Sequence, residues 1–150
     1  MIQNSKITIS TIQFDVDADE VITVSYPAEY FIHNGKYYVK YIELPEDSDG
    51  TEQFQTETII KIDGNRVEVK KKGLIQAHML YEPGMENTTY YESPAGTLLM
   101  NIHTDRVKIV EKDTMVKVIM GYQLSLNEAF LSKCRMTIVV EKQDDNTCRI

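Results

Sequence analysis

The sequence has little of the residue types on which many functional assignments rest. Among its 150 residues there are two cysteines, four prolines and no tryptophan. Cys134 falls in a predicted strand and Cys148 in a polar tail, and their separation fits neither a zinc site nor a disulfide framework. We therefore expect two free thiols in a reducing compartment.

Long apolar runs and positive charge are also scarce. The start, Met1 to Lys6, has no basic segment followed by an apolar stretch, and no later window approaches the roughly 20 residues of a membrane-spanning helix. The formal net charge is −7 with a pI near 5.0, which disfavours nucleic-acid binding because phosphate contacts need clustered Lys and Arg. We expect a cytoplasmic protein without a membrane or nucleic-acid partner.

Motifs of the common enzyme classes are missing as well. The chain has no Gly-x-Gly-x-x-Gly segment, Walker loop or nucleophile elbow. Asp15, Asp17 and Asp19 have the spacing that opens a calcium loop, but Glu20 and Tyr26 stand where Gly and a bidentate Glu are needed. Three histidines lack the spacing of a zinc protease: His33, His78 and His103. The sequence thus predicts no metal, no cofactor and no catalytic residue.

Alternation of apolar and polar residues is the strongest pattern that is present. From Val116 to Leu126 every second side chain is apolar and the intervening ones are mostly polar, and Lys133 to Glu141 alternate likewise. This period of two predicts half-buried β-strands. No window of ten or more residues has a sustained helical apolar pattern.

Turn sequences join these strands to their neighbours. Asn34-Gly35 lies between the strand-like runs Tyr30–His33 and Lys36–Tyr41, and Asp63-Gly64-Asn65 lies between Thr58–Ile62 and Arg66–Lys70. Asn127 to Phe130 link the two alternating runs above. Further strand-like runs are Lys6–Phe14, Val21–Tyr26, Leu74–Glu82, Thr88–Glu92, Thr97–Thr104 and Val107–Glu111. The fold class is therefore all-β, as a barrel or a sandwich. Consecutive hairpins favour a single antiparallel up-and-down β-barrel of about eight to ten strands, because closure removes exposed edges.

The whole chain, residues 1–150, is expected to form one domain. Its one long connection, Pro45 to Gln53, is predicted to overhang a rim of the barrel, and its Asp47 and Asp49 indicate a solvated acidic loop more than a cation site. The tail from Gln143 to Ile150 is polar and expected to fray.

Lys71 departs from the alternation of its strand. Val67 and Val69 set the buried face, and the same period carries Lys71 to the interior. Two interpretations follow: the side chain reaches solvent at the strand end near Gly73, or it lies in a ligand cavity and faces an anion. Tyrosines add to this, since barrels of this size can hold a small ligand. Most are expected to be core or rim packing and a minority to line the pocket: Tyr37, Tyr38, Tyr41, Tyr81, Tyr90, Tyr91 and Tyr122.

The order of several motifs resembles the YwiB-like family of small bacterial proteins, the domain of unknown function DUF1934. The motifs are Asn34–Glu43, Thr58–Val67, Lys71–Gly73, Met79–Glu82, Tyr91–Gly96, Thr104 and Tyr122–Leu124. The resemblance covers nearly the whole chain and implies a calycin-like (lipocalin-like) β-barrel, with no established activity. The family pattern has Arg at position 71, Thr at 93 and an aromatic residue at 95, so Ala95 lacks that side chain's bulk.

Three functional hypotheses follow. The first is a noncatalytic barrel that binds a small apolar or anionic ligand, lined by Tyr41, Glu43, Lys71, Tyr81 and Tyr91. The alternative is a structural or interaction protein with a solid core, whose surface meets a protein partner or a second copy in a homo-oligomer. An enzyme comes third, because only His78 with Glu43 offers a pair, and only if the fold brings them together.

Overall fold

A computed structural model describes residues 2–14, 20–44 and 55–143, without the side chains of Glu20, Phe130 and Leu131. The described residues form ten strands and no helix. The strands are β1 Gln3–Phe14, β2 Glu20–His33, β3 Lys36–Glu43, β4 Thr56–Asp63, β5 Arg66–Gly73, β6 Ala77–Tyr81, β7 Glu86–Ser93, β8 Gly96–Glu111, β9 Met115–Leu126 and β10 Ala129–Lys142. The acidic clusters at 15–19 and 47–49, the long connection, Cys148 and residues 144–150 lie outside the described residues.

All strands belong to one antiparallel sheet that curls into a nearly closed barrel. Every strand pairs with its sequence neighbours except β6 with β7, and β1 pairs with β10. The seam between β6 and β7 has one bridge, in which Gln76 and Glu92 exchange two N–H···O bonds of 2.9 Å. The predicted all-β, up-and-down barrel is confirmed.

The side chains that fill the interior are those that the alternation in the sequence predicts to be buried. On β9 the side chains of Val116, Val118, Met120 and Tyr122 are buried, as predicted. Three of the corresponding β10 positions, Cys134, Ile138 and Val140, are buried with them. The two hydrophobic faces therefore meet in one core inside the barrel.

The hairpin turns also follow from the sequence. Asn34 and Gly35 have φ values of 52° and 75°, and Gly64 has 62°, the positive range that tight hairpins need. The β9–β10 turn is shorter than the predicted connection, because Asn127 and Glu128 both take positive φ and β10 begins at Ala129. Asn127 compensates in part by accepting the N–H of Leu99 at its side chain, 3.0 Å away.

Three predicted strand boundaries are wrong. The runs Val21–Tyr26 and Tyr30–His33 are one strand, because Pro27 lies where β2 is no longer paired with β3. Leu74–Glu82 contains only the short strand β6. Thr97–Thr104 and Val107–Glu111 are also one strand, β8, with a β-bulge between Thr104 and Arg106.

Gly73 supplies the first testable prediction. It has φ of 135°, and a Cβ atom there would overlap the backbone carbonyl oxygen of Gln55. Gly73→Ala is expected to lower the free energy of unfolding by about 1–3 kcal/mol, since both the backbone conformation and the contact oppose a side chain. Urea denaturation measures the change.

Gly121→Ala is the matched control for Gly73→Ala. Gly121 lies mid-strand in β9, and an added Cβ would meet no atom within 4 Å. This substitution is expected to be neutral or stabilising, because alanine restricts the unfolded chain more than glycine does. Equal losses at the two positions would contradict the role given to Gly73.

Candidate functional site

The barrel encloses a cavity of about 260 Å³. Its walls come from all ten strands and are mainly apolar, with tyrosine hydroxyls and one pair of charges. The lining residues are Ile9, Val24, Tyr26, Tyr41, Glu43, Ile60, Val69, Lys71, Met79, Tyr81, Tyr91, Met100, Tyr122, Leu124, Met136 and Ile138. An apolar chamber with a few convergent polar groups has the usual composition of a small-molecule site.

All five residues that the sequence suggests as site residues line this cavity. Tyr41 and Glu43 come from β3, Lys71 from β5, Tyr81 from β6 and Tyr91 from β7. They converge because each occupies an inward position of its strand, and the strands are brought together by curling of the sheet.

Lys71 points into the barrel and contacts a carboxylate. Its Nζ donates a hydrogen bond to Oε1 of Glu43, and their side chains are 15% and 27% exposed. Thr58 Oγ1 donates to the same carboxylate oxygen at 2.5 Å and lies 3.5 Å from the Lys71 nitrogen. The inward charge is thus neutralised within the barrel, so it does not need to extend into solvent.

Tyr41 connects this charged pair to an aromatic wall. Its side chain is buried, its hydroxyl donates to Glu43, and its ring stacks on Tyr26 at a centroid distance of 5.2 Å. Burial first, and the negative charge of Glu43 second, raise the pKa of Tyr41 and of Tyr91. Both hydroxyls therefore remain protonated donors at neutral pH.

A second pair of buried tyrosines lines the same cavity. The rings of Tyr81 and Tyr122 meet edge to face at 5.1 Å, and Tyr122 also hydrogen-bonds to the buried thiol of Cys134. Burial is the main cause that raises the pKa of both phenols. These groups line the site with their polar atoms already paired.

The sequence-based list omits several residues of the site. Thr58 is a polar residue on the apolar face of β4, with Ile60 and Ile62, so alternation could have revealed it. Tyr26 ends the predicted run Val21–Tyr26 and shares the face of Val24, so alternation could have revealed it as well. Met79, Met100 and Met136 have no recognisable signal, because a methionine on an apolar face is ordinary core packing.

His78 and Glu43, the pair considered for catalysis, lie on opposite faces of the sheet and do not meet. Glu43 lines the interior, whereas His78 is exposed on the outer face of β6, where its Nε2 lies 3.4 Å from Glu68. His103 is likewise near Asp105, at 3.5 Å. Within the described ranges, no three His, Cys, Asp or Glu side chains come together as a metal site would require.

The same ranges contain no helix with the length and apolar character of a membrane span.

Comparisons with known proteins agree with the fold. Residues 7–138 match the family model described as "Domain of unknown function (DUF1934)". The crystal structure of ywiB protein from Bacillus subtilis superposes with a TM-score of 0.80 at 17% identity, covering 95% of this chain and 94% of that chain. At that identity the likeness shows the fold alone. No curated protein sequence matches significantly.

Proposed function

We propose that this chain, which belongs to the family described as a domain of unknown function (DUF1934), is a noncatalytic barrel that binds a small, largely apolar molecule in its interior. The observation that carries the proposal is the cavity of about 260 Å³ with a paired Glu43 and Lys71 in its wall. A fully packed core would leave no such space, since protein interiors are close-packed.

The charged pair favours an apolar ligand over an anionic one. Lys71 already has a carboxylate partner in Glu43, so an anion would have to compete with that carboxylate for the ammonium group. An uncharged polar group on the ligand does not compete with Glu43 for Lys71, because it can donate a hydrogen bond to Glu43 or accept one from the hydroxyl of Tyr91. We therefore propose a ligand with an apolar body and one neutral hydrogen-bonding group.

The size of the cavity limits the size of the ligand. Its volume lies just below the roughly 300–1,000 Å³ of common ligand pockets. At about 30 Å³ for each water-sized group, the space accommodates on the order of ten non-hydrogen atoms. A single substituted aromatic ring fits this description.

Indole is a suitable probe, since it has an apolar body and one N–H donor. We expect it to bind with a Kd between about 10 µM and 1 mM, the range that a ligand of this size can reach. In protein labelled with ¹³C at the methionine methyl groups, the largest NMR shifts should fall on Met79, Met100 and Met136, which line the cavity. Native mass spectrometry of freshly purified protein would also reveal a retained molecule.

Two substitutions on β2 separate the cavity from the surface. Val24 lines the cavity, whereas Val21 is 60% exposed and its side chain points to the other face of the strand. Val24→Phe is expected to weaken indole binding at least about tenfold, because the ring occupies ligand space, and Val21→Phe less than about twofold. Equal affinities for the two variants, or shifts spread over all seven methionines, would argue against the interior site.

A further inference from the structure

The outer face of β8, β9 and β10 has a concentration of positive charge. A groove on this face is lined by the outward side chains of Arg106, Lys108, Lys117, Lys133 and Arg135, with Gly121 between them. Five of the 16 Lys and Arg residues of the chain therefore lie around one groove, in a protein with a net charge of −7. We call this surface the basic groove.

The pairing register places two arginines on either side of a glycine. Arg106 on β8 and Arg135 on β10 are both directly opposite Gly121 on β9. Since adjacent strands are about 4.8 Å apart, the two arginine Cα atoms are separated by about 10 Å. Lys108 and Lys133 continue the positive charge along the two outer strands.

The β-bulge in β8 produces this arrangement. Ile102 and Thr104 face the interior, and strict alternation would carry Arg106 inward with them. The extra residue at the bulge reverses the faces, so that Val107 packs against the core and Arg106 and Lys108 are exposed. The bulge thereby spares the core a charge and adds that charge to the basic groove.

Within the described part of the chain, no carboxylate side chain pairs with a cation of the basic groove. Arg135 lies over the ring of Phe14, 5.7 Å from its centroid. Asp105 is the one carboxylate in the lining, and it is near His103 at 3.5 Å and Gln123 at 3.5 Å. Among the side chains that the structure describes, the groove thus has five cations against the single carboxylate of Asp105.

Gly121 leaves the floor of the groove open. A side chain at this position would contact nothing within 4 Å, so the space above the strand is empty. A glycine inside a strand is unfavourable unless something approaches its backbone closely. Here a bound chain could lie between the two arginines, where any larger residue would block it.

We propose that the basic groove binds a short acidic peptide segment, rich in Asp and Glu, of a partner protein. Charge complementarity supports this occupant, since arginine forks hold carboxylates bidentately and five cations exceed what one small anion can contact. A long nucleic acid fits less well, because the rest of this acidic chain repels it. The basic groove lies outside the barrel, so this inference does not depend on the interior ligand.

The test uses a fluorescein-labelled octapeptide of alternating Glu and Gly, with Gln in place of Glu as the control peptide. Fluorescence anisotropy should show binding of the Glu peptide that weakens as salt rises from about 20 to 150 mM, and no binding of the Gln peptide. The double variant Arg106→Glu with Arg135→Glu should weaken binding at least about tenfold. Lys70→Glu with Lys72→Glu changes the net charge equally on exposed positions of β5 and should weaken it less than about threefold.

Gly121→Val tests the groove separately from its charge. The added Cβ atom would meet nothing within 4 Å and valine suits a strand, so the melting temperature should be unchanged or higher, while peptide affinity falls at least about fivefold. Val24→Phe in the cavity should leave peptide affinity unchanged.

Unaltered affinity in Gly121→Val, equal losses in the two charge variants, or tighter binding of a single-stranded oligonucleotide would overturn the proposal. So would self-association in sedimentation that Arg106→Glu with Arg135→Glu abolishes, because the face would then bind a second copy.

Discussion

Raising the pH from about 9 to 11 is expected to lower the free energy of unfolding by at least about 4 kcal/mol. Tyr41, Tyr81 and Tyr122 are at most 5% exposed, and burial raises the pKa of each above its usual value of 10. In the unfolded chain these phenols ionise as the pH passes 10, whereas in the folded barrel they stay protonated. The stabilisation is therefore complete below pH 10 and is lost progressively above it, at about 1.4 kcal/mol per tyrosine for each pH unit.

Urea denaturation at the two pH values measures this loss, and tyrosinate absorbance reports ionisation of the folded state. Tyr122→Phe is the matched variant, because it removes one phenol and keeps the ring that meets Tyr81. We expect it to reduce the pH-dependent loss by about 1.4 kcal/mol, the contribution of one buried phenol, whatever its effect at neutral pH. A loss that is the same in wild type and Tyr122→Phe would mean that this phenol ionises without unfolding.

Removing the carboxylate that pairs with Lys71 is expected to produce the second large loss in the free energy of unfolding. Glu43→Gln keeps the size of the side chain but leaves the Lys71 ammonium without a carboxylate inside the barrel. Breaking a buried pair costs about 3–5 kcal/mol, and the partial exposure of these side chains reduces the expected loss to about 2–3 kcal/mol. Lys71→Met, which leaves Glu43 accepting hydrogen bonds from Thr58 and Tyr41, should cost less.

The double variant Glu43→Gln with Lys71→Met completes the thermodynamic cycle. It removes both charges, so its loss should be smaller than the sum of the two single losses by at least about 1 kcal/mol. Indole affinity should be retained in the double variant, because the apolar walls are intact. Losses that simply add would show that Glu43 and Lys71 stabilise the barrel independently of each other.

The sequence of this chain determined its strands and the faces of those strands. Alternation depends only on the period of two, so the buried positions of Val67 and Val69 were enough to predict that Lys71 faces the interior, where it lies. The hairpins at Asn34-Gly35 and Gly64 are equally local, because positive φ is a property of one or two residues. A meander of such hairpins then leads to a barrel with little further information, since closing the sheet removes its edges.

The tertiary structure decided which residues meet and where the alternation reverses. Glu43 contacts Lys71 across β4 because the registers place Glu43 opposite Thr56 and Lys71 opposite Thr58, two residues apart on the same face of β4. A register joins strands over distances that no local pattern encodes. The bulge at Asp105 likewise places Arg106 outside, where continued alternation would have buried it. Its physical reason is the cost of an unpaired charge in the core, which is settled only when β8 packs against β9. Lys71, carried to the interior by the same alternation, remains there because the fold supplies it with Glu43.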